Sequence, residues 1–200
     1  MSKMPTTIYA EMTPNPANMK FVANKLLLSN GLSVEFQNKQ ESIGKSKLAE
    51  ALFNFPFVDG VFIASNFVTV AKTDQISWDL VNMQLRDFIK EFIDSGEELV
   101  SNVEQIIKEE EEKKAAVFEN LTPSEYDDKI RDLLNEYVRP AVEGDGGAID
   151  FKSFHEGTVT VVLRGACSGC PSSSATLKGG IETLLKQMIP DVKEVVAEEL

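Results

Sequence analysis

The 200-residue chain has only two cysteines, one histidine and one tryptophan. Two cysteines cannot make a disulfide scaffold of the kind that small secreted domains use. One histidine rules out the usual His-rich metal centres and any His-based triad beyond a single copy. No apolar run approaches the roughly 20 residues of a membrane span. The opening Met1-Ser2-Lys3-Met4-Pro5-Thr6-Thr7 has no apolar core of a secretory signal, and too little Arg for a transit peptide. Basic charge is also scarce: 20 Lys and Arg face 32 Asp and Glu, a formal net charge of −12. That balance argues against docking on phosphate backbones or on anionic lipid, so nucleic-acid and membrane partners are not expected. The expected setting is the cytoplasm, where thiols stay reduced.

The acidity is unevenly placed. Residues 97–128 alone carry a net charge of −8, against −1 for residues 1–96 and −3 for residues 129–200. The middle holds Lys108-Glu109-Glu110-Glu111-Glu112-Lys113-Lys114. A charge run of this kind stays solvated, so residues 97–121 are expected to form an acidic helical linker. It divides an N-terminal domain, 1–96, from a C-terminal one, 122–200. The fold class is α/β (α+β), two small two-layer units.

In the first unit, Thr7 to Met12 and Met19 to Leu28 are strand-like. Thr13-Pro14-Asn15-Pro16 between them is a turn, because proline fixes φ and disfavours helix at the residue before it. Ser46 to Phe53 suggests a short helix. Phe57 to Ala64 and Asn66 to Ala71 suggest paired strands. Trp78, Val81, Leu85, Phe88 and Phe92 recur at helical spacing, and Trp78 belongs with that core face. Nothing in this unit carries visible catalytic chemistry. The second unit reads α-β-β-α-β. Thr122-Pro123-Ser124-Glu125 has the form of a capped helix start. Tyr126, Ile130, Leu133, Leu134 and Tyr137 stripe that helix, which ends at Pro140. Gly144-Asp145-Gly146-Gly147 is a turn in which both Gly146 and Gly147 supply positive φ; Asp145 either serves the bend, the favoured reading, or approaches whatever the cysteines hold. A hairpin closes around His155-Glu156-Gly157, with His155 on the surface. A second helix covers Ser172 to Met188, and Val192 to Val196 is a last strand.

Both cysteines fall in Arg164-Gly165-Ala166-Cys167-Ser168-Gly169-Cys170-Pro171, between the strand ending at Leu163 and that second helix. A turn at a helix N-terminus offers free N–H groups and the positive end of the helix dipole. Both favour thiolate, the form that binds soft metals or attacks disulfides. Three chemistries compete. A thioredoxin-like dithiol fits the spacing, but such units have most of their sheet after the motif, and only 30 residues follow Cys170. Zinc or an iron–sulfur cluster needs four ligands, so two chains would have to face each other across a two-fold axis. A purely structural pair is the third reading. Arg164 and Lys178 flank the cysteines; each is either a solvated charge or a counter-charge to thiolates.

The motifs resemble those of the NifU-like (Nfu) family. In the C-terminal half these are Arg139-Pro140-Ala141-Val142, Asp145-Gly146-Gly147, Gly165-Ala166-Cys167-Ser168-Gly169-Cys170-Pro171-Ser172-Ser173-Ser174 and Thr176-Leu177-Lys178. In the front half they are Thr13-Pro14-Asn15-Pro16, Met19-Lys20-Phe21 and Ser65-Asn66-Phe67-Val68-Thr69-Val70. The resemblance implies a non-enzymatic iron–sulfur carrier. It implies one [4Fe–4S] cluster held by Cys167 and Cys170 of each of two subunits in a homodimer. It also implies receipt from an upstream assembly scaffold, delivery to apo-proteins, and a front domain that helps to engage them.

Overall fold

The computed structural model describes residues 5–28, 32–101, 106, 108, 124–168 and 171–199. The chain divides into two compact units, Met1–Glu109 and Glu110–Leu200.

The first unit is built on a five-stranded antiparallel sheet ordered β1-β2-β5-β4-β3. Its strands are β1 (Ile8–Met12), β2 (Asn18–Ala23), β3 (Ser33–Phe36), β4 (Val58–Ala64) and β5 (Phe67–Lys72). The proline turn joins β1 to β2 as expected. Its Asn15 carbonyl accepts from the Thr13 hydroxyl at 2.7 Å and from the Asn18 N–H at 2.9 Å. Strand β2 stops at Ala23 rather than Leu28, because the next residues turn away: the N–H groups of Leu27 and Leu28 both donate to the Ser65 carbonyl. The short strand β3 has no counterpart in the sequence reading. Two small helices, α1 (Lys39–Ser42) and α2 (Lys47–Leu52), follow β3, and the long helix α3 (Trp78–Ser95) follows β5. Helix α3 buries Val81, Leu85, Ile89 and Ile93; the last three join one core with Phe21, Ile63, Val68 and Leu48, while Phe88 and Phe92, which the spacing placed on the inward stripe, are half-buried at its edge. Trp78 lies at the edge of that core, its indole N–H donating to the Pro16 carbonyl at 3.0 Å.

Gly96 caps α3 at φ 78°, a conformation that glycine adopts without steric cost. The chain does not leave the unit there. Val100 is buried in the same core, and the Ser101 N–H donates to the Lys45 carbonyl at 2.7 Å. The packed part of this unit therefore runs past the start of the acidic stretch, and Ile106 also packs against its core. The rest of that stretch, with the Thr122 cap, lies outside the described residues apart from Ile106 and Lys108. Ser46 fastens this end. Its hydroxyl accepts from the Ala49 N–H at 3.1 Å, as the cap of α2, and donates to the Leu99 carbonyl at 2.7 Å. Ser46→Ala is expected to cost about 2 kcal/mol in urea unfolding, since it removes a cap and a buried tertiary bond together. A loss below about 0.5 kcal/mol would show that residues 97–101 do not belong to the folding unit.

The second unit is a helix–sheet sandwich in the expected α-β-β-α-β order. Helix α4 (Asp127–Leu133) passes through a π turn (Leu134–Val138) into α5 (Arg139–Gly144). Pro140 therefore does not end the helix. It has no N–H to give and its ring crowds the carbonyl four residues back, so the chain widens by one residue, with the Arg139 N–H reaching the Leu134 carbonyl. The extra residue shifts the apolar stripe. Val138 is 6% exposed and packs inward, while Tyr137 is 53% exposed. The sheet is ordered β6-β7-β8, from β6 (Gly147–His155), β7 (Thr158–Gly165) and β8 (Glu194–Glu199). Strands β6 and β7 form a hairpin whose two loop residues, Glu156 and Gly157, both have positive φ. Helix α6 (Pro171–Met188) carries the chain from β7 to β8, which pair in parallel. Ile181, Leu185 and Ile189 pack on Ile149, Val159, Val161 and Leu163 of the sheet. Met188, placed in the stripe by its spacing, is exposed, and Ile189 takes the inward position.

Candidate functional site

The site lies at the open end of the β6–β7 hairpin. There the first residue of β6, Gly147, pairs with the last residue of β7, Gly165. Gly146 and Gly165 both have positive φ, 83° and 68°, so two glycine bends lie side by side. The Ala166 N–H donates to the Gly146 carbonyl at 3.2 Å and ties the bends together. The Gly165 carbonyl then accepts from both the backbone N–H of Ser168, at 3.1 Å, and its hydroxyl, at 2.9 Å. A tight turn thus delivers Cys167, and α6 starts immediately after the motif at Pro171, which suits the first position of a helix. Glu182 secures the far side of α6: it accepts from Lys186 Nζ at 2.6 Å and from the Val195 N–H of β8 at 3.1 Å. These two donors, Lys186 first, hold its carboxyl below the ordinary value of 4.5.

Gly147 does something other than adopt positive φ. A Cβ at that position would lie 2.6 Å from the Arg164 carbonyl oxygen and 2.8 Å from Cys167 Sγ. The glycine is required by close approach, which the sequence reading missed. Cys167 is 3% exposed and belongs to the hydrophobic core with Val142, Ile149 and Leu163. Cys170 lies outside the described residues.

Arg164 is not a solvated charge. It is 8% exposed and donates from Nη2 to Asp150 Oδ2. Arg139 Nη2 lies 4.0 Å from the other Asp150 oxygen, Oδ1, and Arg139 Nε donates to Asn135 Oδ1 at 2.9 Å. Asp150 thus bridges the strand that leads into the cysteine turn and the helix that precedes β6. Neither Asp150 nor its role was legible from spacing; a lone carboxylate among apolar strand residues was the only signal. Asp145 is exposed at the end of α5, where its N–H donates to the Ala141 carbonyl at 3.0 Å, in keeping with a turn role. His155 is exposed at the far end of β6. Among the described residues, no three His, Cys, Asp or Glu side chains form a metal-holding group, and no helix is long and apolar enough to cross a membrane.

Residues 8–96 match the family described as scaffold protein Nfu/NifU N terminal, and residues 130–196 match the NifU-like domain. NifU-like protein 5, mitochondrial, of Arabidopsis thaliana is 38% identical over 193 residues, covering 96% of this chain and 67% of that protein. NifU-like protein 4, mitochondrial, of the same plant is 36% identical over 197 residues, covering 96% and 65%. The NFU1 iron-sulfur cluster scaffold homolog, mitochondrial, of Drosophila sechellia is 32% identical over 192 residues, covering 94% and 63%. The chain spans about two thirds of the length of these relatives. With both domains matched in order, the chain belongs to the NifU-like (Nfu) family.

Proposed function

We propose that this protein is an iron–sulfur cluster carrier that receives a [4Fe–4S] cluster from an upstream assembly scaffold and passes it to apo-proteins. The observation that carries the reading is the Cys167–Cys170 pair at the β7–α6 junction of a NifU-like domain. Two thiolates are half a cluster's ligand set, so two chains pair and each supplies Cys167 and Cys170. The role is binding and transfer rather than catalysis. Transfer is ligand exchange: a client thiol loses its proton as it bonds to an iron, the Fe–S bond to Cys167 or Cys170 breaks, and the released thiolate takes up a proton. Nothing is oxidised or reduced.

The N-terminal unit, which has no chemistry of its own, engages clients. The acidic stretch connects the two units, and its length sets the effective concentration of cluster at a captured client. The three relatives above are mitochondrial by name. The expected cytoplasmic location therefore widens to a reducing compartment, cytoplasm or mitochondrion. Thioredoxin-like exchange has less support, because one strand, β8, follows the motif and the matched family is a scaffold family by description.

Anaerobic reconstitution with iron and sulfide tests this. About four iron and four sulfide on a species of dimer mass is the expected result. A colourless zinc-bound dimer, or a monomer whose two thiols titrate reversibly, would replace the carrier reading with a structural or redox one.

A further inference from the structure

We propose that Gly147 is a seat for the Cys167 thiol, so that in the unloaded chain the first cysteine of the motif is retracted into the core and must swing out before it can act as a ligand. This rests on the reading of Cys167 as a ligand. Cys167 as a residue is 3% exposed and packs among core residues of its unit. A side chain that is shut off from solvent cannot reach an iron shared with a second chain. The absence of a side chain at 147 makes room for the thiol: a Cβ there would lie 2.8 Å from Cys167 Sγ and 2.6 Å from the Arg164 carbonyl oxygen. The neighbouring turn is built to hold the thiol inward. Gly165 at φ 68°, the Ala166-to-Gly146 bond and the doubly used Gly165 carbonyl fix the backbone on either side of it. Loading is therefore gated. The retracted thiol is shielded from oxidants, and cluster arrival is coupled to an outward turn of Cys167.

The test is alkylation of Cys167 by iodoacetamide in the full-length apo-protein, resolved by peptide mass spectrometry, in buffer and in concentrated urea. The folded protein is expected to react on the order of 100-fold more slowly at Cys167, as local opening equilibria of buried groups give. Reaction within about threefold of the unfolded rate would overturn the seat. Gly147→Ala is expected to remove most of this protection while circular dichroism stays native. Unchanged protection in a folded Gly147→Ala protein would also overturn it. If that variant does not fold, the wild-type ratio decides alone. The carrier reading fails separately, by absence of iron and sulfide after reconstitution, whatever the alkylation rate.

Discussion

Cys167→Ala and Cys170→Ala are each expected to cut retained iron from about four per dimer to background after desalting. Each substitution removes two of four thiolates from a shared site, and the remaining pair cannot close a tetrahedral iron set. The two variants should nevertheless differ in stability. Cys167 is a core residue, so its loss leaves a small void costing about 1 kcal/mol. Serine would be a poor choice there, because it places a hydroxyl in an apolar pocket at a cost of about 1–3 kcal/mol. Alanine therefore separates ligand loss from misfolding. Iron and sulfide assays, with thermal melts of the same samples, check both. Full iron in the Cys167→Ala dimer would remove Cys167 from the ligand set. Collapse of the second unit in that variant would mean that the cysteine is structural.

The sequence was most informative where a signal is local. The proline turn at Thr13–Pro16, the helix that starts at Trp78 and the Glu156–Gly157 hairpin all depend on residues close in the chain, and all three form, although α3 turns Ile89 and Ile93 inward where the spacing pointed to Phe88 and Phe92. The CxxC junction was legible for the same reason. What escaped was set by tertiary context. Pro140 reads as a stop, yet a widened π turn lets the helix continue and hands the inward position from Tyr137 to Val138. Strand β3 has only four residues, too few for alternation to speak clearly. Gly147 reads as a bend residue, but its need is to let Cys167 approach, a contact across 20 residues of chain that no window contains. Arg164 reads as either a solvated charge or a counter-charge to the thiolates, because its partner, Asp150, becomes a neighbour only when β6 pairs with β7.

That pairing leads to the second large effect. Asp150→Ala is expected to destabilise the second unit by about 2 kcal/mol. Breaking a buried ion pair costs about 3–5 kcal/mol, and the partial exposure of Asp150, 23%, lets water and salt recover some of it. For a unit of this size the melting temperature should fall by roughly 10 °C. Arg164→Ala should match or exceed this loss, because Arg164 is the more buried partner. Arg139→Ala should do less, since its guanidinium stands 4.0 Å from the carboxylate. The order of the three, read by differential scanning calorimetry, tests whether Asp150 is the link between α5 and the strand end. A change below about 0.5 kcal/mol for Asp150→Ala would remove that role. The consequence reaches the cysteines. Arg164 is the residue before the Gly165 bend, and its carbonyl forms one wall of the Gly147 seat. Loosening that strand end frees the turn that holds Cys167. The same variant should therefore alkylate faster at Cys167 and lose reconstituted cluster sooner than the wild type, even at temperatures where the unit remains folded.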